Sequence, residues 1–143
     1  MFIKFHNSRY LIVLDRNQPL LQSLTELAQK HNILGGSLNG IGALKNVELG
    51  YYELHKKEYV RKFFNNEDFE LLTLSGNVSW RDGAPYIHAH TALGRSDFSV
   101  IGGHLFEAQV AVTAEIYLTP FGVMPERTPQ PELGLQTITH CRL

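Results

Sequence analysis

Three of the seven histidines are spaced as the ligands of a metal ion would be. His88 and His90 are two residues apart in a segment that alternates as a strand does, so both side chains leave one face, with Cα atoms roughly 6.5–7 Å apart. Two imidazoles at that spacing can reach one zinc ion, because Zn–N bonds are about 2.0–2.1 Å long. An HxH pair alone is often two ordinary hydrogen-bonded histidines. The third histidine, His104, follows Gly102-Gly103 on the next predicted strand and favours a metal site with all three as ligands.

The pairing of these two strands decides whether His104 lies on the face of the other two histidines. Directly paired residues of an antiparallel hairpin share a face. The sequence predicts that His88 pairs with His104 and His90 with Gly102, which leaves the loop Arg95–Asp97. Loops of three residues are common in hairpins. A bulge at Gly102-Gly103 is the alternative, and it would shift the pairing by one residue.

Three imidazole ligands leave the fourth position of a tetrahedral zinc ion open, as in catalytic or ligand-binding sites. Glu107 and Glu115 follow the histidines in sequence and are the candidate catalytic residues. Either would orient a metal ligand or act as a base beside a bound water. Glu115 lies in an apolar run, where a buried charge would need a partner. An outward-facing edge position is therefore an equal alternative for Glu115.

One helix and many strands are predicted to position these residues. Arg9–Leu14 is the first strand, and a helix spans residues 18 to about 32, with Asn17 as its N-cap and Gly35-Gly36 at its end. The later predicted strands are Ser37–Ala43, Val47–Leu54, Tyr59–Phe64, Phe69–Trp80, Tyr86–Leu93, Phe98–Leu105, Gln109–Thr119 and the edge strand Leu133–His140. Residues 120–131 contain four prolines and are predicted to be irregular. This layout predicts an α+β fold, a mostly antiparallel sheet with one main helix packed on it.

The composition indicates one folded domain over residues 1–143, with 43% apolar and 19% charged residues. No apolar run approaches the roughly 20 residues of a membrane span, and no secretory signal is expected at the start. Cys141 is the only cysteine, which excludes a disulfide scaffold and favours a reduced, cytoplasmic location. The net charge of −1 lacks the basic excess typical of DNA-binding proteins. The basic cluster of Lys56, Lys57, Arg61 and Lys62 is interpreted as a solvated edge strand.

Several segments in order resemble the plant-and-prokaryote-conserved (PPC) family, over nearly the whole chain. Asn39–Leu44, followed by Val47–Leu49, is similar to its early Gly-x-Gly-Ala turn between two strands, and Phe69–Asn77 to its central strand. His88–His90, Val100–Leu105 and Val112–Ile116 resemble the second half of the prokaryotic version, often described as DNA-binding with a PD1-like motif. Pro131–Leu135 resembles the closing motif.

The resemblance implies a sheet-centred domain that assembles as a homotrimer and holds zinc on His88, His90 and His104. Plant relatives join this domain to AT-hooks and lack these histidines. This chain has no Arg-Gly-Arg-Pro hook. The isolated domain is therefore expected to bind DNA weakly and without sequence preference.

Three functions remain open from the sequence, of which the last is a sequence-tolerant DNA-associated protein. The first is a metal-binding, trimeric PPC-domain protein of prokaryotic type that is regulatory or binds an unknown small ligand. The second is a zinc-dependent hydrolase or lyase of unknown substrate that uses metal-bound water.

Overall fold

The computed structural model describes all residues, Met1–Leu143, as eight strands and one helix. The strands are β1 Phe2–His6, β2 Arg9–Asp15, β3 Gly35–Glu53, β4 Glu58–Arg81, β5 Ala84–Gly94, β6 Val100–Phe121, β7 Met124–Gln130 and β8 Leu135–Arg142, and the helix is α1 Leu20–Lys30. No helix has the length and apolarity that crossing a membrane requires.

Four of the strands form a closed ring of antiparallel pairs. β3 pairs with β4 and β6, and β5 also pairs with both β4 and β6. β2 and β1 extend the sheet beyond β6, while β7 joins β4 through a short parallel ladder and carries β8. The prediction of a mostly antiparallel sheet with one helix is confirmed.

Helix α1 packs against β5 and β6. Its buried residues recur at helical spacing, as in Leu20, Leu24 and Leu27, and belong to one cluster of 26 buried residues shared with the sheet. The expectation that residues 1–143 form a single domain stays a prediction, and this shared core supports it.

The ends of α1 differ from the prediction. Asn17 is not the N-cap, because its backbone is left-handed (φ 69°) and its side-chain oxygen accepts a hydrogen bond from Lys45 Nζ. At the other end, Asn32 takes a left-handed conformation (φ 50°), and Ile33 N donates to Ala28 O at 2.9 Å. This is a Schellman-type end, so the helix stops before Gly35-Gly36, which begin β3.

Three pairs of consecutive predicted strands are each one continuous strand in the structure. β3, β4 and β6 each combine two of them, because irregularities such as those between Gly40 and Gly42 and between Lys45 and Val47 bend β3 without ending it. At Gly42 an added Cβ would lie 2.3 Å from Thr113 O, so the bend brings the β6 backbone close.

Two further strands, β1 and β7, were not expected. β1 is largely exposed and pairs only with β2, so no alternation of buried and exposed residues marks it. β7 falls in the segment predicted to be irregular and contains Pro125 and Pro129. Prolines are tolerated there although β7 lies between β4 and β8, because its ladder with β4 consists of only two residue pairs and leaves Pro125 and Pro129 unpaired on that side.

Candidate metal centre

The three predicted ligands lie on one face of the β5–β6 hairpin. Ile87, Ala89 and Thr91 point into the core, so the alternating residues His88 and His90 leave the opposite face. His104 on β6 pairs directly with His90, not with His88 as predicted, and Gly102 lies opposite Ala92. The predicted register was wrong by one residue on each strand. Side chains alternate between the two faces of a strand, so a shift of two residues in the pairing leaves each side chain on the same face. The prediction that the three histidines share a face is therefore confirmed.

The register differs because the hairpin loop is longer than expected. Gly94 pairs with Val100, which leaves Arg95–Ser99 as the loop. Arg95 N donates to Ser99 O and Phe98 N donates to Arg95 O, both at 2.9 Å, with Phe98 in a left-handed conformation. A five-residue loop closed by its own hydrogen bonds replaces the three-residue loop.

The imidazole rings form a nearly equilateral triangle. The distances between ring centroids are 5.2 Å for His88–His90, 5.1 Å for His88–His104 and 5.3 Å for His90–His104. One nitrogen from each ring lies within 4.8 Å of those of the others. Ligand nitrogens of a tetrahedral zinc site are about 3.3–3.4 Å apart, so modest tilts of the rings suffice to bring them to one ion.

Two of these histidines are neutral at physiological pH. Burial, assisted by the charges of Arg127, His104 and His90, lowers the pKa of His88 from 6.5 to about 4. Burial likewise lowers the pKa of His104 to about 4, assisted by His90, Arg127 and Arg61. A neutral imidazole has the free lone pair that a metal ligand needs.

The hydrogen bonds of the cluster also fit a metal. His104 Nδ1 is buried and has no hydrogen-bond partner in the structure. A buried nitrogen without a partner is destabilising unless something binds it, and a metal ion would satisfy it. His88 Nδ1 lies 3.0 Å from Arg127 Nη2. A guanidinium can only donate, so this nitrogen is the acceptor.

Aromatic side chains and small residues hold His104 in place. Its ring lies 5.0 Å from that of Tyr59 and 4.8 Å from that of Phe106. Gly50 is the residue opposite His104 on β3, and a Cβ there would lie 2.4 Å from Phe106 Cε2. The packing around His104 therefore depends on a residue without a side chain on the neighbouring strand.

The cluster borders a cavity of about 480 Å³ beneath the β7–β8 hairpin. Its lining includes two of the histidines, three aromatic residues and two arginines: His88, His104, Tyr59, Tyr86, Phe106, Arg81 and Arg127. The rest of the lining comes from Pro129–Pro131 and Gly134–Thr137. No aspartate or glutamate lines this cavity. Tyr52 donates its hydroxyl hydrogen to Leu133 O, and Lys57 Nζ donates to Pro131 O at 3.1 Å, so both tie the hairpin tip over the cavity.

The two candidate carboxylates lie away from this cavity. Glu107 Oε1 accepts a hydrogen bond from Leu21 N at 2.8 Å, and Oε2 accepts one from Gln22 N at 3.0 Å, so its carboxylate caps the N-terminus of α1. Glu115 is exposed on β6 and forms no side-chain hydrogen bond or ion pair, which agrees with the alternative prediction of an outward-facing position. A role for either as a base beside bound water stays a prediction, without support from these positions.

Arg127 is the main site residue that the sequence did not indicate. It lies in the proline-containing segment predicted to be irregular, 39 residues after His88. Only the parallel contact between β4 and β7, which pairs Arg81 with Arg127, brings it to the cluster. A parallel contact between distant strands leaves no local sequence signal.

Comparison with known proteins identifies the fold family. The model of the Plants and Prokaryotes Conserved (PCC) domain, the family abbreviated PPC above, matches residues 4–122. The chain belongs to this family. Among curated proteins, none matches the sequence. The PPC resemblance seen in the sequence is confirmed, and the matched span contains all three histidines but ends before β7.

Solved structures agree with this assignment. A PPC protein from Pyrococcus horikoshii is 34% identical, with 99% of this chain and 97% of that chain covered and a TM-score of 0.85. A metal-containing protein from Archaeoglobus fulgidus is 35% identical, with coverages of 98% and 99% and a TM-score of 0.86. A "putative dna binding protein" from Bacteroides thetaiotaomicron is 31% identical, with coverages of 94% and a TM-score of 0.90.

Proposed function

We propose that this PPC-domain protein binds one zinc ion through His88, His90 and His104 and uses the adjoining cavity to bind a small ligand. The observation that carries the proposal is the convergence of three imidazoles, one with a buried Nδ1 that lacks a hydrogen-bond partner. The similar protein from Archaeoglobus fulgidus is described as metal-containing, which supports metal binding here.

The ligand set favours a transition metal over magnesium, calcium or manganese, and the choice of zinc among the transition metals follows the family resemblance. Imidazole nitrogens suit zinc, copper, iron and nickel, whereas magnesium, calcium and manganese prefer carboxylate and carbonyl oxygens. No carboxylate belongs to the cluster. Three protein ligands would leave one position for a ligand or water, and two of the ligand residues line the cavity.

Element analysis of purified protein tests the metal site. We expect one zinc per chain after dialysis against equal zinc, manganese and magnesium. His104→Ala should lose it, whereas His55→Ala, an exposed histidine in the turn after β3, should retain it. Equal metal content in the wild type and His104→Ala would contradict the proposal.

Ligand binding is favoured over the hydrolase or lyase alternative by the composition of the cavity wall. Hydrolysis by metal-bound water usually needs a nearby general base. The lining offers no carboxylate, and burial raises the pKa of Tyr59 from 10.0, which makes its phenol a poor base at neutral pH. Zinc-dependent turnover of ester or amide substrates would favour the alternative.

We also propose a homotrimer, following the family resemblance. Its support in this chain is an apolar groove of about 730 Å³ on another face, lined in part by Phe98, Val100 and Val112. Phe98 is 93% and Val112 69% exposed, which is unusual for apolar side chains this close together. A second copy of the chain would cover these side chains. The location of the protein is proposed to be cytoplasmic.

Light scattering at micromolar concentration tests the trimer. The wild type should have three times the chain mass of 16.2 kDa. Val112→Lys should reduce that mass, whereas Leu54→Lys, similarly exposed in the turn after β3, should not. A monomer mass for the wild type would overturn the trimer.

Binding of duplex DNA is expected to be weak. Of the four residues of the basic cluster, Lys56 pairs with Glu53 at 2.6 Å and Arg61 with Glu48 at 2.7 Å, so only the charges of Lys57 and Lys62 remain unpaired for phosphates. A gel-shift titration at about 0.15 M salt tests this. Sequence-selective binding with a nanomolar dissociation constant would contradict it.

A further inference from the structure

The cavity wall contains a half-buried arginine without a counter-ion. Arg95 and Arg127 are the two arginines that are not fully exposed. Arg95 pairs with Glu67 at 3.0 Å. Arg127 forms no ion pair and donates only to neutral acceptors, among them Ser79 Oγ at 2.8 Å and Gln136 O at 3.1 Å. A guanidinium withdrawn from water without an anion is destabilising.

A second arginine adds to the positive charge on this wall. Arg81 pairs with Arg127 across the parallel ladder, also has no carboxylate partner, and stacks 4.0 Å from the ring centroid of Tyr86. The lining contains both arginines and no acidic residue. A zinc ion on the histidines would add further positive charge, so the field in the cavity attracts anions.

The contact between Arg127 and His88 is incompatible with a metal on His88. If the metal binds Nε2, the neutral ring carries its proton on Nδ1, which then faces the guanidinium as a second donor. If the metal binds Nδ1, the lone pair that accepts from Arg127 is consumed. In both cases metal binding would end the 3.0 Å contact between Arg127 Nη2 and this nitrogen and leave Nη2 with only its longer hydrogen bond to Asn77 Oδ1, at 3.4 Å.

We propose that the cavity binds a small carboxylate with an apolar or aromatic body, held by Arg127, and that zinc on the histidines strengthens this binding by releasing Arg127 from His88. The inference rests on the proposed metal site. A planar guanidinium matches a carboxylate in two parallel hydrogen bonds. The rings of Tyr59, Tyr86 and Phe106 supply apolar walls, and a volume of about 480 Å³ suits a small molecule.

Calorimetry with benzoate as the probe tests the proposal on the wild-type protein. Zinc content is measured first, so a protein that takes up no zinc overturns the metal site before benzoate is added. In zinc-loaded protein, benzoate should bind about tenfold more tightly than in zinc-free protein, within the 5–150-fold range typical of coupled sites. Zinc should bind more tightly by the same factor when benzoate is present, because the coupling is reciprocal.

Related compounds and variants test the carboxylate and the arginine. Benzamide, which is neutral, should bind far more weakly than benzoate, and inorganic phosphate should not bind more tightly. Arg127→Gln should keep one zinc per chain and lose benzoate binding, while Arg9→Gln, an exposed arginine on β2, should change neither. If Arg127→Gln does not fold, the comparison of zinc-loaded and zinc-free wild type decides.

Three results would overturn the inference while leaving the metal site intact. These are equal binding of benzoate and benzamide, equal affinity with and without zinc, or full benzoate binding by folded Arg127→Gln. Nitrogen-15 spectra give an independent check. The zinc-free protein should carry the His88 proton on Nε2, with Nδ1 as a hydrogen-bond acceptor. Zinc should either move that proton to Nδ1 or shift the Nδ1 resonance to that of a metal-bound nitrogen, and unchanged spectra would contradict the inference.

Discussion

Glu107 caps a helix that has no capping side chain of its own, which makes its removal a sharp test of this structure. The N-cap residue is Pro19, and α1 has no acidic residue in its first turn. From β6, the Glu107 carboxylate instead accepts hydrogen bonds from Leu21 N and Gln22 N and from its neighbour Ala108 N. Leu21 N and Gln22 N are among the free N–H groups at the positive end of the helix dipole.

The expected loss of stability follows from these contacts. Removing a good N-cap usually costs about 1 kcal/mol and up to about 2, and hydrogen bonds to charged groups contribute about 1.5–3 kcal/mol each. The carboxylate is only partly buried and the contributions overlap, so Glu107→Ala should lower the free energy of unfolding by about 2–3 kcal/mol. Glu107→Gln keeps one acceptor oxygen and should lose about 1 kcal/mol.

Urea denaturation with unchanged m-values measures the effect. Glu115→Gln is the matched control on the same strand, because that exposed carboxylate has no hydrogen-bond partner and its change should stay within about 0.5 kcal/mol. Zinc content should be the same in all three variants. If Glu107→Ala left stability unchanged but lost zinc or activity, the capping role would be refuted and the base role revived.

Two further predictions concern the histidine cluster. Because burial lowers the pKa of His88 and His104 to about 4 from 6.5, the unfolded chain binds more protons between these values, so the stability of the metal-free protein should rise with pH from about 4 to 6.5. Each ring contributes at most about 3 kcal/mol to this change. His104→Gln should flatten the dependence of the unfolding free energy on pH, measured by urea denaturation. An unchanged dependence would contradict the pKa directions. A Cβ at Gly76 would lie 2.2 Å from His88 O, so Gly76→Ala should destabilise the fold by about 1–3 kcal/mol and reduce zinc content, while Gly122→Ala, with open space around it, should do neither.

The residues that could be predicted are those whose signal is local. Alternation on β5 placed His88 and His90 on one face, and the parity of the hairpin added His104 without the correct register. The spacing of its leucines predicted the helix. Its N-terminal cap could not be predicted, because the capping residue Glu107 lies on a strand, 85 residues after the Gln22 N–H that it accepts from. The prediction divided β3 between Ala43 and Val47, where the structure has an irregularity between Lys45 and Val47 that bends the strand without ending it.

The three proposed metal ligands and Arg127, the residue proposed to bind the anion, belong to different parts of the molecule. His88, His90 and His104 lie on β5 and β6, which are two strands of the closed ring, and within the residues that the family model matches. Arg127 lies on β7, beyond that span, in a hairpin that pairs with the ring through two residues and is tied down by Tyr52 and Lys57. The backbone of this hairpin therefore does not hold the histidine triangle in place, and its direct contact with the triangle is the side chain of Arg127 against His88. In the proposed function, the ring would therefore fix where the ion binds, and the hairpin would fix which anion can share the cavity with it.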